Sequence, residues 1–303
     1  MCSMYRCLKA GAVLALWATL AAAVQAQEPD PDATAAPAVP APAARLLVHS
    51  GLAEASLQRQ YPDRIRWLET EEGEGFPALW FPEHQPQAQG ALVLMADEGH
   101  SAGTGLLVGM ARVLAEAGWA VLTLGLDVPP RSVRTLLENS RVQAAEETAA
   151  PSVMIDVLAA PDPLIGHYRT RVQARLLAAV SWLAEQGYRS LVLAGVGRAA
   201  FHILDAEPGD SRVRTRIWVL PEFYAEQESE LAQRLAARQQ EALLELYPSP
   251  GEARGRERWV SARQAGFGGY RRQPVAVNVP PDPDAAHALA NRILAWLQVP
   301  ARQ

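Results

Sequence analysis

The sequence predicts an α/β domain: a mostly parallel sheet with helices on both faces and an antiparallel hairpin at its N-terminal edge. Three observations carry that prediction. Short apolar runs of strand length (91–95, 119–124, 191–194) alternate with longer stretches whose apolar residues recur at helical spacing. The strand–helix–strand units so formed have the length of crossover connections, which make neighbouring strands parallel. Residues 64–70 and 76–81 are strand-like and are separated by the turn Glu72-Gly73-Glu74-Gly75, a hairpin signature.

Taken in order, the chain begins with the marks of an export signal. Arg6 and Lys9 precede a short apolar core over 11–23, and Val24-Gln25-Ala26 offers small residues at the two positions a signal peptidase reads. The core is shorter than the about 20 residues a membrane span needs. The expectation is a signal peptide over 1–26, a periplasmic product and no stable membrane anchor after cleavage. Cleavage would remove both cysteines, Cys2 and Cys7, and the only lysine, Lys9, changing the net charge from −5 to −7 as Arg6 and Lys9 are lost. An acidic chain without lysine lacks the basic face that nucleic-acid binding requires, so that class is set aside. Residues 27–44, rich in Pro, Ala and Asp, are expected to be a flexible tether. Residues 45–303 are expected to be the folded domain.

Within that domain, 46–61 reads as an amphipathic helix leading to the edge hairpin. Leu106, Leu107, Met110, Val113 and Leu114 mark a buried helical face, and Gly118 closes that helix before the strand 119–124. Residues 128–168 are polar and proline-rich and read as an insertion over the sheet, lid-like or partly disordered. The helix 171–186 presents Val172, Leu176, Val180 and Leu183 on one face. Strands follow at 215–220, 242–246 and 273–279, with helices at 226–240 and 252–265. Asp284 stands where it would cap a closing helix bearing Leu289, Ile293, Trp296 and Leu297 on one side.

One stretch organises the rest. The strand 191–194 meets Gly195 and Gly197 and turns at once into a helix beginning at Ala199. This is the layout of the nucleophile elbow of α/β-hydrolases, G-x-S-x-G, in which a serine stands on the strained turn. Here the five residues are Gly195-Val196-Gly197-Arg198-Ala199, and glycine holds the nucleophile position. From about Arg45 to Leu297 the chain resembles an uncharacterised bacterial family, a domain of unknown function, of exported α/β-hydrolase-like proteins. The residues carrying the likeness are 91–100 (Ala-Leu-Val-Leu-Met-Ala-Asp-Glu-Gly-His), 114–124, 191–200 and the ending 290–297. The resemblance implies an α/β-hydrolase fold and a periplasmic setting in a Gram-negative cell, and no particular reaction. The wider superfamily it points to uses a serine at the elbow, an acid after a later strand and a histidine after the last strand.

The candidate site residues follow from that frame. Gly197 has no side chain to attack with. Gly195, Gly197, Arg198 and His100 are candidates for ligand binding, because backbone N–H groups at a helix start, beside an arginine, suit an anion. His287 is the candidate base and Glu252 the candidate acid. Ser101, in the loop Asp97-Glu98-Gly99-His100-Ser101 where the superfamily builds part of its oxyanion hole, is the candidate relocated nucleophile. His202 is expected to be packed behind the elbow. The histidines show no metal-ligand spacing such as H-E-x-x-H, and neither a metal nor a cofactor is expected. The leading expectation is a degenerate hydrolase that binds a small ligand or a partner. An active ester or acyl hydrolase using Ser101 and His287 is the alternative, and an envelope-interaction protein is a third.

Overall fold

The apolar runs become eight strands: β1 (Ile65–Glu69), β2 (Gly75–Phe81), β3 (Gly90–Glu98), β4 (Trp119–Leu126), β5 (Leu191–Val196), β6 (Val213–Val219), β7 (Ala242–Pro248) and β8 (Tyr270–Val275). Around them lie α1 (Gly51–Gln60), α2 (Gly105–Glu116), α3 (131–138), α4 (Pro163–Glu185), α5 (Ala199–Asp205), α6 (Ala225–Ala236), α7 (Ala253–Gln264) and α8 (Ala285–Leu297). The computed structural model describes residues 51–138, 163–209, 212–249 and 253–298, and the expected signal peptide, tether and middle of the insertion (139–162) lie outside them.

The strands form one sheet in the order β1-β2-β4-β3-β5-β6-β7-β8. The β1–β2 and β2–β4 pairs are antiparallel, and every pair from β4 to β8 is parallel. The expected edge hairpin is therefore present. Parallel strands are covered on both faces, which is why they read as unbroken apolar runs. In β3, Ala91, Val93 and Met95 join the core on one face, and Leu92, Leu94 and Ala96 the core on the other. Each fully buried leucine contributes about 1.5–3 kcal/mol by leaving water. Helices α1, α2 and α8 cover the second face, and α3 to α7 the first.

Several details differ from the sequence reading. Among them are helix α3, within the stretch read as an insertion, and the C-terminal ends of α6 and β8, which fall at Ala236 and Val275 rather than at 240 and 279. Helix α4 starts at Pro163, eight residues before the expected Arg171, within the stretch taken as insertion. Proline is tolerated in the first helical turn because its missing N–H has no intrahelical partner there. Strand β8 starts at Tyr270 rather than Gln273, and Pro274 is accommodated because β8 is an edge. Asp284 does not cap α8 through its side chain; Asp282 Oδ1 accepts the Ala285 N–H at 3.1 Å instead.

Strand order places the site. From β3 the chain crosses to β4 on one side, and β5 returns to the other side of β3. The C-terminal ends of β3 and β5 therefore lie at the switch point, the edge at which open α/β sheets place their ligand crevices.

Candidate functional site

The elbow is built as its sequence implies, and its strand is pressed against its helix. A Cβ on Gly195 would lie 2.8 Å from the Ala199 backbone, so only glycine lets α5 start this close to β5. Gly197 sits at φ +54°, a left-handed turn that glycine adopts without strain. The exit from β6 clasps this turn. Gly197 donates its N–H to Val219 O at 3.0 Å, and Gly197 O accepts the Glu222 N–H at 3.1 Å. Between those two contacts, Leu220 is itself held at φ +51°, an uncommon state for a branched side chain.

What fills the elbow is a carboxylate from another strand. A Cβ on Gly197 would come within 2.3 Å of Asp97 Cγ, so the Asp97 side chain occupies the volume a nucleophile would take. Its Oδ1 accepts two backbone N–H bonds, from Arg198 and from Glu98, each at 2.8 Å. In the hydrolase elbow the oxyanion hole uses the N–H of the residue after the nucleophile and one from the loop after the third strand. Arg198 is that following residue, and Glu98 stands at the end of β3. Both N–H groups are thus taken up by the Asp97 side chain.

Beside this plug lies a cluster of charged and aromatic groups. Tyr224, the residue before α6, is fixed by its N–H donating to Gln227 Oε1 at 3.1 Å. Its hydroxyl donates to both Glu98 oxygens, at 2.9 and 2.8 Å. The Arg198 guanidinium stacks on the Tyr224 ring at 3.8 Å, a cation–π contact. Burial raises the Glu98 carboxyl above its ordinary range, opposed by the Tyr224 hydrogen bond and by the charges of Arg198 and Arg134. Burial and the Glu98 contact raise the Tyr224 hydroxyl in turn. Arg198 Nη1 and Arg134 Nε are buried with no hydrogen-bond partner. Among the described residues neither arginine has an ion pair, in contrast to Arg169, Arg175, Arg258 and Arg272.

The remaining predicted residues stand as follows. His100 is exposed, with Nδ1 3.2 Å from Glu98 O. Ser101 is half-buried, and its carbonyl accepts from Thr104 Oγ1 at 2.8 Å. His287 lies exposed on the first turn of α8, where Nδ1 accepts from Asn291 Nδ2 at 3.0 Å. No hydrogen bond joins Ser101 to His287 among the described residues. Glu252 lies outside them. His202 is fully buried, edge-on to Tyr168, and burial with the charges of Arg169 and Arg234 lowers its pKa to about 3. No group of three metal-ligating side chains occurs among the described residues. Sequence reasoning passed over Asp97, Glu98, Arg134 and Tyr224. An acid ending β3 opposite a glycine at the elbow was the readable signal; Arg134 and Tyr224 gave none.

Residues 7–245 match the model of a family described as a protein of unknown function, DUF3530. The chain belongs to the DUF3530 family. No curated protein matches it. The fold of this DUF3530 member is shared with solved esterases. The esterase domain of a Rhodothermus marinus protein is 14% identical, with a TM-score of 0.51 over 77% of this chain and 96% of that one. Est1E from Butyrivibrio proteoclasticus is 10% identical, with a TM-score of 0.52 over 78% and 99%. A cold-adapted esterase from an Arctic intertidal metagenomic library is 14% identical, with a TM-score of 0.50 over 76% and 92%. At such identity the likeness shows the α/β-hydrolase fold.

Proposed function

We propose that this DUF3530 protein is a periplasmic, degenerate member of the α/β-hydrolase fold. In this reading it binds a small anionic, acyl-bearing ligand in the switch-point crevice and performs no acyl transfer at the elbow. The observation that carries the reading is the Asp97 carboxylate lying in the nucleophile's volume and on the two backbone N–H groups of the oxyanion hole. Nucleophilic catalysis needs an activated side chain at that point and free donors for the oxyanion. Here the first is absent and the second are taken. The anion would bind higher in the crevice than the elbow N–H groups, on the guanidinium groups of Arg198 and Arg134, whose buried N–H donors have no other partner.

Two measurements test this. The purified protein, treated with a fluorophosphonate beside an active esterase, should carry no adduct by mass spectrometry. A single adduct at Ser101, lost on prior unfolding, would overturn the reading in favour of a relocated nucleophile. In calorimetry with octanoate as probe, binding should be saturable and weakened about tenfold by Arg198→Ala, the loss of one charge-assisted contact. Absence of saturable binding, or an affinity unchanged by Arg198→Ala and by Arg134→Ala, would overturn the anion site.

A further inference from the structure

A second concave surface lies away from the elbow, between the β1–β2 hairpin and α4, and encloses about 470 Å³. That volume falls in the range of small-ligand sites. Its apolar wall is Trp67, Leu177 and Trp182, and its rim is Glu69, Glu71, Glu72 and Glu185. Trp67 is 54% exposed and Leu177 36%. No lysine, arginine or histidine lines it.

The distribution of charge on α4 shows how the groove comes to be free of cations. Thr170, Ala174, Leu177, Ser181 and Glu185 follow one another at helical spacing and form the stripe facing the groove. Ala174 and Ser181 on either side of Leu177 are short and leave space open. The cations of the same helix are committed elsewhere. Arg169 pairs with Glu226 and Glu230, Arg171 with Glu74, and Arg175 with Glu74 and Asp127. None of the four rim carboxylates has an ion-pair partner among the described residues.

The rim is also held in place before any ligand arrives. In the hairpin turn, Gly73 at φ +81° donates its N–H to Thr70 O at 2.9 Å, and the Glu74 N–H donates to Thr70 Oγ1 at 3.1 Å. Arg171 and Arg175 tie Glu74 to α4 at 2.6 and 2.7 Å. The turn that presents Glu71 and Glu72 is thereby fixed to the helix that presents Glu185. Across the groove, Trp182 is set by an edge-on contact with Trp80 at 5.0 Å. An ordinary acidic surface is convex and water-solvated; here the carboxylates ring an aromatic-walled hollow in which a cation would be attracted by carboxylate and ring face together.

We propose that this groove is a binding site for a small organic cation with an apolar body, such as a polymethylene amine, independent of the elbow crevice. The probe is 1,6-diaminohexane, titrated calorimetrically into the purified protein at low and at physiological salt. Binding should be saturable, weaker in higher salt and absent for the isosteric neutral 1,6-hexanediol. The double variant Glu71→Gln/Glu185→Gln, altered at exposed positions, should weaken it about tenfold. Trp67→Ala should weaken it several-fold, and Arg198→Ala should leave it unchanged. No saturable binding of the diamine, equal binding of the diol, or no effect of the double variant would overturn the site. Tighter binding of a short lysine-containing peptide than of the diamine would overturn the small-molecule assignment.

Discussion

The elbow, where two arginines lie beside two acids, and the groove beside the hairpin, which carries only acids, hold charge differently on the same sheet. At the elbow, Arg134 and Arg198 form no ion pair among the described residues though their charges act on Glu98, and the acid nearest the turn, Asp97, is spent on backbone N–H groups. In the groove, four glutamates face a hollow without a cation. The interior handles charge differently from both. Fully buried Glu245 on β7 meets Arg258 and Arg272 at 3.1 Å each, and Tyr270 as well. Buried Arg216 is closed by Glu241 and by the carbonyls of Ile203 and Ala206. Burial without a partner costs several kcal/mol per ion, so interior charges are paired.

The largest effect that would sharpen this contrast is at the paired interior. Glu245→Ala removes the buried carboxylate that meets Arg258, Arg272 and the Tyr270 hydroxyl, and should cost about 3–5 kcal/mol in urea denaturation. Glu71→Gln/Glu185→Gln in the groove should change stability by no more than about 0.5 kcal/mol. Comparable losses in the two variants would break the comparison.

The next effect is at the elbow. Gly197→Ser adds a side chain at φ +54° into the Asp97 carboxylate and should destabilise by about 2–4 kcal/mol. Asp97→Gly alone leaves the Arg198 and Glu98 N–H groups without their acceptor, at a cost of about 1–3 kcal/mol. Because one residue fills the space of the other, the two losses should not add. The double variant should be more stable than their sum by about 1 kcal/mol or more in a double-mutant cycle. Additive losses would mean that Asp97 does not occupy the elbow in solution.

The smallest effect is a pH dependence in the network joining α4 to α6. Glu226 is raised to about 7 by burial and by its hydrogen bond with Glu230. The folded protein therefore holds this proton more tightly than the unfolded chain. The stabilisation is full below the ordinary value of 4.5 and is lost as pH rises through about 7. His202 has the opposite sign: lowered to about 3 from 6.5, it contributes above 6.5 and loses that contribution as the solution is acidified. Glu226→Gln should flatten the fall in Tm between about pH 5 and pH 7. An unchanged profile would remove Glu226 as its source.

The strands were legible because both sheet faces are buried. Ala91 to Met95 and Leu191 to Ala194 had to be continuously apolar, and a run of that length bounded by turns has few other readings. The elbow was legible for a local reason, since Gly195 and Gly197 answer steric demands made within a few residues. Pro163 misled because a proline that opens a helix looks, in sequence, like one that ends a loop.

What the sequence determined by itself, then, is the order and type of the elements apart from α3, and the absence of a serine at the turn. Those properties depend on short-range periodicity and on residue identity. Tertiary structure alone decided that Asp97, 100 positions before Gly197 in the chain, fills the space the serine vacates. It alone brought Arg134 and Tyr224 to the same crevice and set Glu185 of α4 across from Glu71 of the hairpin. Such juxtapositions are made by strand order and crossover, which bring distant residues to one sheet edge without leaving a periodic trace along the chain.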